Sequence, residues 1–306
     1  MSRQHAYGRT TTSLLVLAAL VLVLALIAII FKGGGPDLRD IVGNIVKKTE
    51  LLSTMRINLL KSVETEKSAV MADTDEASRD FADQSRRAAD LVERDRRELE
   101  LLLNRDHTDK EMDLFHEFDT CWTALRKIDQ EVLDFAVQNT NLKAAALSFG
   151  KGNETIKRFE HDLRNLIHST SSSDKCSHVV IPASDALAAG LRIQGLHAPH
   201  IAEASDARMD EIEAEMRQDG EIVESSLKRL SDSVPEENRA LLQDARAAYE
   251  EFAAVTAEVI KLSRENTNIK SFELSLGKKR KIAAQCDEIL IGLQEAVRSR
   301  EFKATR

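Results

Sequence analysis

One stretch of sequence occurs twice in this chain, and this repetition constrains the fold more than any other feature. Residues 131–151 read EVLDFAVQNTNLKAAALSFGK, and residues 258–278 read EVIKLSRENTNIKSFELSLGK. The two stretches align without a gap from Glu131 and Glu258, and ten of the aligned positions are identical. A match of this density indicates that one structural module was duplicated, so we expect two tandem copies of the same unit.

The composition favours long helices for these copies. The chain has 306 residues, which is enough for about two domains. Aromatic residues make up 4% of the chain and charged residues 31%, whereas a sheet sandwich needs many aromatic and β-branched residues. The 4 prolines and 12 glycines leave long stretches unbroken. These values predict an all-α fold built from amphipathic helices.

The pattern of each copy indicates four helices. From Asp37 onward, apolar residues keep the heptad-like spacing that is typical of coiled coils. The clusters at 73–76 (DTDE) and 205–206 (SD) have the composition of helix N-caps. The Asn-Thr-Asn sequences at 139–141 and 266–268 also suit helix caps, so we place the turn into each fourth helix there. Helices of about 30 residues joined by short turns predict an antiparallel up-down bundle.

The predicted architecture is an N-terminal transmembrane helix followed by two tandem antiparallel up-down four-helix bundles. The first bundle spans residues 37–170 and the second spans residues 183–304, with a Ser-rich linker at 171–182. Arg56 of the first copy matches Arg192 of the second, while Glu131 matches Glu258. The offset between the copies is therefore larger at the first pair than at the second. The second copy has lost residues between these points, and we place the loss in its first hairpin.

An unbroken apolar run near the N-terminus predicts a membrane anchor. Residues 14–31 are all apolar, and about 20 such residues span the hydrocarbon core. A cleaved signal peptide is the alternative, but no A-x-A cleavage step follows the run. We therefore predict a cytoplasmic tail at 1–12 and an uncleaved signal anchor at 13–32. The predicted location is the bacterial inner membrane, crossed once, with the bulk of the chain in the periplasm.

Cysteine spacing and net charge narrow the possible partners. The three cysteines form no metal-binding or haem-binding spacing. Cys121 and Cys286 fall in apolar stripes and are interpreted as buried thiols, while Cys176 could form an intermolecular disulfide in an oxidising compartment. The net charge is −8, which argues against a nucleic-acid partner.

Four segments carry a resemblance to a known family. They read MRINLLKSVETEKSAVMADTDEASRDF and NTNLKAAALSFGKGNETIKRFEHDL in the first copy, and LRIQGLHAPHIAEASDARMDEIEAEM and NTNIKSFELSLGKKRK in the second. They resemble the four-helix-bundle ligand-binding domain of methyl-accepting chemotaxis proteins and related bacterial sensor kinases. The resemblance covers most of residues 38–303 as two tandem copies.

The resemblance implies an extracytoplasmic bundle that dimerises and binds small molecules near the dimer interface. A homodimer or a signalling partner protein is therefore expected. In that family a second span leads to a HAMP linker and an output domain. Since none of these follows before Arg306 in the sequence, we expect the chain to signal through a partner; the alternative is that a second span follows just beyond the given sequence.

Enzyme motifs are absent from the sequence, so we predict no enzymatic activity and no cofactor. Gly33 to Gly35 follow the apolar run rather than a strand, and they lack the Lys-Ser/Thr of a phosphate loop. No G-x-S-x-G or H-E-x-x-H sequence occurs.

The candidate ligand-binding residues occupy matched places in the two copies. Arg56 lies beside Asn58, and Arg192 lies beside Gln194. An arginine fork can hold a carboxylate through two hydrogen bonds, so these four residues are the predicted contacts of a small anionic ligand. The alternative is that both arginines are solvated or form ion pairs on their helices.

Two further features have competing interpretations. His197, His200 and Glu203 could chelate a metal on one helix face; the alternative is a helix kinked at Pro199 with exposed imidazoles. Gly150 and Gly277 fall inside the fourth helices, where they mark either a close helix-helix approach or a local bend used in signalling.

The predicted function is that of a membrane-anchored extracytoplasmic ligand-binding protein, similar to a sensor, that acts in signal transduction. The alternative is a non-sensory membrane-anchored helical scaffold or assembly protein. A polar pocket between the long helices, or an arginine cluster there, would favour the sensor.

Overall fold

A computed structural model describes residues 36–170 and 176–304, and nearly all of this part of the chain is helical. No strand occurs within these two ranges, as the all-α prediction requires. The first copy comprises α1 (Pro36–Met71), α2 (Asp75–Arg105), α3 (Asp109–Ala136), α4 (Thr140–Leu147), the π-helical segment π1 (Ser148–Gly152) and α5 (Asn153–Thr170). The second comprises α6 (Cys176–Ala202), α7 (Asp206–Ser233), a 3-10 turn (Glu236–Asn238), α8 (Arg239–Glu265), α9 (Thr267–Leu274), π2 (Ser275–Lys279) and α10 (Arg280–Ala304).

The second helix of each copy begins at a hydroxyl cap, as the sequence predicts. The Oγ1 of Thr74 accepts a hydrogen bond from the backbone N–H of Ala77 at 3.2 Å. The Oγ of Ser205 accepts one from the N–H of Arg208 at 3.4 Å. Each hydroxyl thereby satisfies one of the N–H groups that a helix start leaves without an intrahelical partner.

The predicted linker at 171–182 is in part helical. Helix α6 begins at Cys176 and contains both Pro182 and Pro199, so residues 176–182 of the predicted linker belong to this helix. Residues 171–175 lie outside the described residues, as do the predicted tail at 1–12 and the predicted anchor at 13–32. No helix in the described part of the chain is long and apolar enough to cross a membrane.

The described residues divide into two compact units that differ from the two predicted segments. Unit 1 contains residues 36–59, 90–120 and 285–304, and unit 2 contains residues 60–89 and 121–284. Neither unit is a continuous stretch of chain. Parts of α1, α2 and α3 fall in each unit, α5 is grouped with the helices of the second copy, and most of α10 is grouped with parts of the first copy.

In unit 2, the fourth helix of the first copy belongs to a bundle with three helices of the second copy. Helix α5 packs against α6 and α8. Its residues Phe159 and Leu163 are fully buried in one apolar core with Val179 of α6, Val223 of α7 and Phe252 of α8. Burial of this stripe, at about 25 cal/mol per Å² of apolar surface, holds α5 to α8 together.

In unit 1, the last helix of the second copy packs against helices of the first copy. Leu114 of α3 lies 3.7 Å from the place where Gly292 of α10 would carry a Cβ atom. The Nη2 of Arg300, near the end of α10, lies 2.7 Å from Asp106 Oδ1, and its Nη1 lies 3.4 Å from Glu111 Oε2. The α10 helix is thereby joined to the turn between α2 and α3.

The turn into each fourth helix lies where the Asn-Thr-Asn sequences predict it. Asn139 has a φ of 53° and Asn266 a φ of 56°, both in the left-handed region. Asparagine tolerates this conformation better than most residues with a Cβ atom. One left-handed residue therefore ends the third helix and allows the fourth to start directly after it.

The prediction for Cys121 and Cys286 is right about their burial and wrong about their being free thiols. Cys121 and Cys286 are buried, with 7% and 0% of their surface exposed, but both are disulfide-bonded. The sequence pattern showed that they occupy apolar stripes but carried no information on pairing, which depends on three-dimensional distance.

Candidate functional site

The two arginines that the sequence offered as ligand contacts are held by carboxylates of the chain itself. Arg56 Nε lies 2.8 Å from Asp287 Oδ1, and its Nη2 lies 3.2 Å from Oδ2. Arg192 Nε and Nη2 lie 2.8 and 2.6 Å from Asp219 Oδ1. Arg56 is in unit 1 and Arg192 in unit 2, so each belongs to a different local environment. These contacts correspond to the ion-paired alternative.

The amides next to these arginines also differ between the copies. Gln194 donates from Nε2 to the backbone oxygen of Ser148 at 3.1 Å, and its Oε1 is buried without a hydrogen-bond partner among the described residues. Asn58 is half-buried on α1. The surroundings of the two amides therefore differ, although their positions match in the two copies.

His197 and His200 are fully buried, so the expectation of exposed imidazoles is wrong. Each has 0% of its surface exposed. His200 Nδ1 lies 2.8 Å from Ser263 Oγ, and its Nε2 lies 3.0 Å from Glu213 Oε1. Glu203 accepts backbone N–H groups in the turn after α6. Across the described ranges, no group of three or more His, Cys, Asp or Glu side chains is placed to hold a metal.

Next to His197, helices α6, α7 and α8 line a cavity in unit 2 that is open to solvent. Its volume is about 220 Å³. Most of its wall is apolar, with a few polar groups at the edges. The lining residues are Ile193, Glu213, Met216, Arg217, Gly220, Tyr249, Phe252, Ala253, Thr256, Ala257 and Ile260. An apolar cavity with few convergent polar groups is the usual form of a small-molecule site.

Tyr249 supplies the first polar group of this cavity. The residue is only 9% exposed, and its hydroxyl makes no hydrogen bond with any described residue. The hydroxyl faces Gly220, where an added Cβ atom would lie 3.6 Å from it, in ordinary van der Waals contact. Burial raises the pKa of Tyr249 to about 12, with a further contribution from the charges of Glu224 and Asp219. The hydroxyl therefore stays protonated and available to an occupant.

Thr256 supplies the second polar group and connects the cavity wall to a buried hydrogen-bonded chain. Its hydroxyl donates to the backbone oxygen of Phe252 at 3.0 Å and lies 3.1 Å from His197 Nε2. His197 Nδ1 in turn lies 3.0 Å from Ser148 Oγ. Since the Thr256 hydrogen is used by Phe252, His197 must donate from Nε2 and accept at Nδ1. This assigns a neutral imidazole to His197.

The environment of His197 also opposes its protonation. Burial lowers its pKa to about 4, and nearby His200 adds to this effect. Its ring stacks on Phe252 with the ring centroids 5.8 Å apart. A neutral imidazole in this position transmits the orientation of one hydroxyl to another without carrying charge.

The hydrogen-bonded chain from Thr256 ends at an irregular helical segment. Ser148 is the first residue of π1, and π2 begins at Ser275, which is its counterpart in the alignment of the two copies. The two segments contain Gly150 and Gly277, where the sequence pointed to either a close approach or a bend. Short π-helical segments within α-helices are frequent at functional sites. The cavity is thus connected to the least regular part of the fourth helix.

The buried side chains that contact Asp129 are charged, whereas those that contact Thr256, at the corresponding layer of the second copy, are neutral. In the alignment of the two copies, Asp129 corresponds to Thr256, and Lys279 corresponds to Gly152. Lys279 is 1% exposed, and its Nζ lies 2.6 Å from Asp129 Oδ1 and 2.7 Å from Glu66 Oε2. The Glu66 contact is an ion pair without hydrogen-bond geometry. The copies therefore share helices but not the chemistry of this layer.

The sequence does not reveal the cavity, because its aromatic residues stand at positions typical of a core. Tyr249 and Phe252 match Trp122 and Leu125 of the first copy in the same alignment. The differing pair at Asp129 and Thr256 was the available signal, because a buried layer that changes chemistry between duplicates is able to acquire a separate role.

No protein-family model matches this chain, and no curated protein sequence matches it either.

Proposed function

We propose that this chain is a membrane-anchored extracytoplasmic protein, similar to a sensor, that binds a small molecule in the α6–α8 cavity and takes part in signal transduction through a partner. The proposal rests on one observation: a chain of hydrogen bonds connects the cavity wall to the π1 segment of the fourth helix. Thr256 lines the cavity, and hydrogen bonds lead from it through His197 to Ser148 at the start of π1.

An occupant can act on this connection through the Thr256 hydroxyl. A ligand that packs against Thr256 and Phe252 displaces the Thr256 hydroxyl, and the hydrogen bonds of His197 and Ser148 then readjust. The π1 segment interrupts the regular hydrogen-bond ladder of the fourth helix, so it is the place where that helix can rearrange. A ligand changes the balance between two arrangements only by its difference in affinity for them, and these hydroxyl contacts provide such a difference.

Two features support the extracytoplasmic location. The apolar run at 14–31 has nearly the length of a membrane span. Cys121 and Cys286 are disulfide-bonded, and such bonds persist in oxidising compartments such as the periplasm. The resemblance to the ligand-binding domains of chemotaxis receptors is consistent with both.

The experiment is a thermal-shift screen of the full chain in detergent against a small-molecule library, repeated with Ala257→Phe. Ala257 is exposed at the cavity wall, so phenylalanine fills the cavity without disturbing the core. Ala254→Phe is the matched control, because Ala254 is exposed on the same helix and does not line the cavity. Hits that are lost in Ala257→Phe and kept in Ala254→Phe support the proposal. A screen without such hits favours the scaffold alternative.

A further inference from the structure

We propose that the ligand of the α6–α8 cavity is a small molecule with an aromatic or similarly apolar body and one cationic amine, and that Glu224 and Glu250 hold the amine. This proposal rests on the proposed function, because it names the ligand class of the same cavity.

A second depression extends the cavity along α7 and α8. It has a volume of about 360 Å³ and shares Tyr249 and Ala253 with the first. Its other lining residues are Glu224, Leu227, Arg246 and Glu250. The two depressions are therefore neighbours, the first mainly apolar and the second charged, and Tyr249 lines both.

The charged end of this site has an excess of negative charge. Glu224 and Glu250 are exposed, and neither forms an ion pair with any residue that the structure describes. Arg246 is the cation among the lining residues of this depression, and its Nη2 already donates to Leu227 O at 2.9 Å and Ser231 Oγ at 2.5 Å. Arg246 keeps its positive charge in these hydrogen bonds, but two carboxylates outnumber it, so the lining of this depression is negative and attracts a cation.

Tyr249 is an independent indication that a ligand group belongs at this point. The residue is nine-tenths buried, its hydroxyl has no hydrogen-bond partner among the described residues, and its side chain lines both depressions. Glu224 and Asp219 make the potential at this hydroxyl negative. An ammonium group satisfies the hydroxyl oxygen as a donor and also interacts favourably with the tyrosine ring face.

The apolar end accepts the body of the ligand without requiring a second charge. Tyr249 and Phe252 present their rings with centroids 6.3 Å apart. Glu213 is held by Arg264 at 2.6 Å and by His200 at 3.0 Å, and Arg217 lies 3.9 Å from the same carboxylate. The charges at this end are therefore compensated within the protein, which leaves the amine as the group that decides recognition.

The test is isothermal titration calorimetry of the full chain in detergent at pH 7 with three probes of matched size. The probes are 2-phenylethylamine, 2-phenylethanol and 3-phenylpropionate, which are cationic, neutral and anionic. We expect the amine to bind at least about tenfold more tightly than the alcohol, because charge-assisted hydrogen bonds are the stronger ones. We expect the acid to bind more weakly than the alcohol.

Two variants test whether Glu224 and Glu250 cause the preference for the amine over the alcohol. Glu224→Gln with Glu250→Gln is expected to abolish the preference for the amine and to leave the affinity for the alcohol within about twofold, since only charge is removed. Glu221→Gln is the matched control, because Glu221 is exposed on the same helix and does not line either depression. It is expected to keep the tenfold preference.

The outcomes separate this inference from the proposed function. If the acid binds best, if amine and alcohol bind equally, or if no probe binds, the amine assignment is overturned. Should the library screen at the same time give hits that depend on Ala257, the ligand-binding function stands with another ligand class. If the screen gives no such hits, the ligand-binding function fails as well.

Discussion

Thr140 and Thr267 lie 127 residues apart in the chain, and each donates its backbone N–H to the Oγ1 of the other at 3.1 Å. The next residues repeat the exchange: Asn141 N–H donates to Asn268 Oδ1 at 3.1 Å, and Asn268 N–H donates to Asn141 Oδ1 at 3.2 Å. The first N–H groups of α4 and α9 are therefore capped by side chains of the opposite copy. The sequence predicted caps at these turns, but caps of each helix by its own residues.

Removing one of these threonine hydroxyls should destabilise the fold through the helix start of the other copy. We expect Thr140→Ala and Thr267→Ala each to lower the free energy of unfolding by about 1 kcal/mol, as for loss of a helix cap. Because each hydroxyl also contacts the other, the double variant should cost less than the sum of the two. Urea denaturation measures all three. Thr65→Ala is the control, since its exposed hydroxyl bonds only within its own helix. Strict additivity would contradict reciprocal capping.

Lys279 should be essential to stability although it contacts no ligand. Replacing it with methionine leaves the buried carboxylates of Glu66 and Asp129 without a cation, and we expect a loss of about 3–5 kcal/mol. Adding Glu66→Leu and Asp129→Leu should recover most of this loss, because the layer then becomes apolar. Guanidinium denaturation gives the comparison. Lys261→Met, which removes an exposed pair with Glu258, should change stability by less than about 0.5 kcal/mol.

Acidification should weaken the fold through His197. Its pKa in the folded chain is about 4, against 6.5 for the free side chain. The unfolded chain therefore binds more protons between these values, so stability is full above pH 6.5 and falls as the pH decreases towards 4. The contribution is about 3 kcal/mol over the whole interval. Chemical denaturation at several pH values should show a smaller slope in His197→Gln than in the unaltered chain.

The control for this pH dependence is His161→Gln. His161 is exposed on α5, where its ring bonds the side chain of Asn165. This variant should keep the slope of the unaltered chain between pH 6.5 and 4. Equal slopes in all three proteins would contradict a buried neutral imidazole at position 197.

Thiol labelling should distinguish the cysteines. Under denaturing, non-reducing conditions, Cys121 and Cys286 should resist maleimide, and both should react after reduction, since both are disulfide-bonded. Mass spectrometry of tryptic peptides identifies the labelled positions. Replacing both with serine should lower stability by about 2–4 kcal/mol. Cys176→Ser is the control and should leave the labelling at the other two positions unchanged.

The sequence predicted the helices well and their partners poorly. Apolar spacing and caps such as Thr74 and Ser205 are local signals, so they indicated where helices begin and end. The packing of α5 with α6–α8 is not local. In a duplicated chain, the fourth helix of either copy carries an apolar stripe suited to the same groove, so sequence pattern cannot distinguish packing within a copy from packing between copies.

The candidate site was even less accessible to prediction. The arginine fork was chosen because Arg56 and Arg192 match in position, but the carboxylates that engage them, Asp287 and Asp219, come from other helices. The cavity depends on Gly220, which carries no side chain at its wall, and on the orientation of the Tyr249 hydroxyl. The placement of both is determined by side-chain packing in three dimensions, which a list of residue types does not contain.

The fourth helix of each copy, α5 or α10, packs with helices of the other copy, and this arrangement also limits how such a chain can evolve. Deleting either copy removes α5 or α10 from a bundle that the remaining copy depends on, and it exposes a groove that was covered. Recombination that shortens the chain to one copy would thus leave a protein with an open apolar surface. Once established, the duplication is hard to reverse, while the two polar layers inside it remain free to diverge.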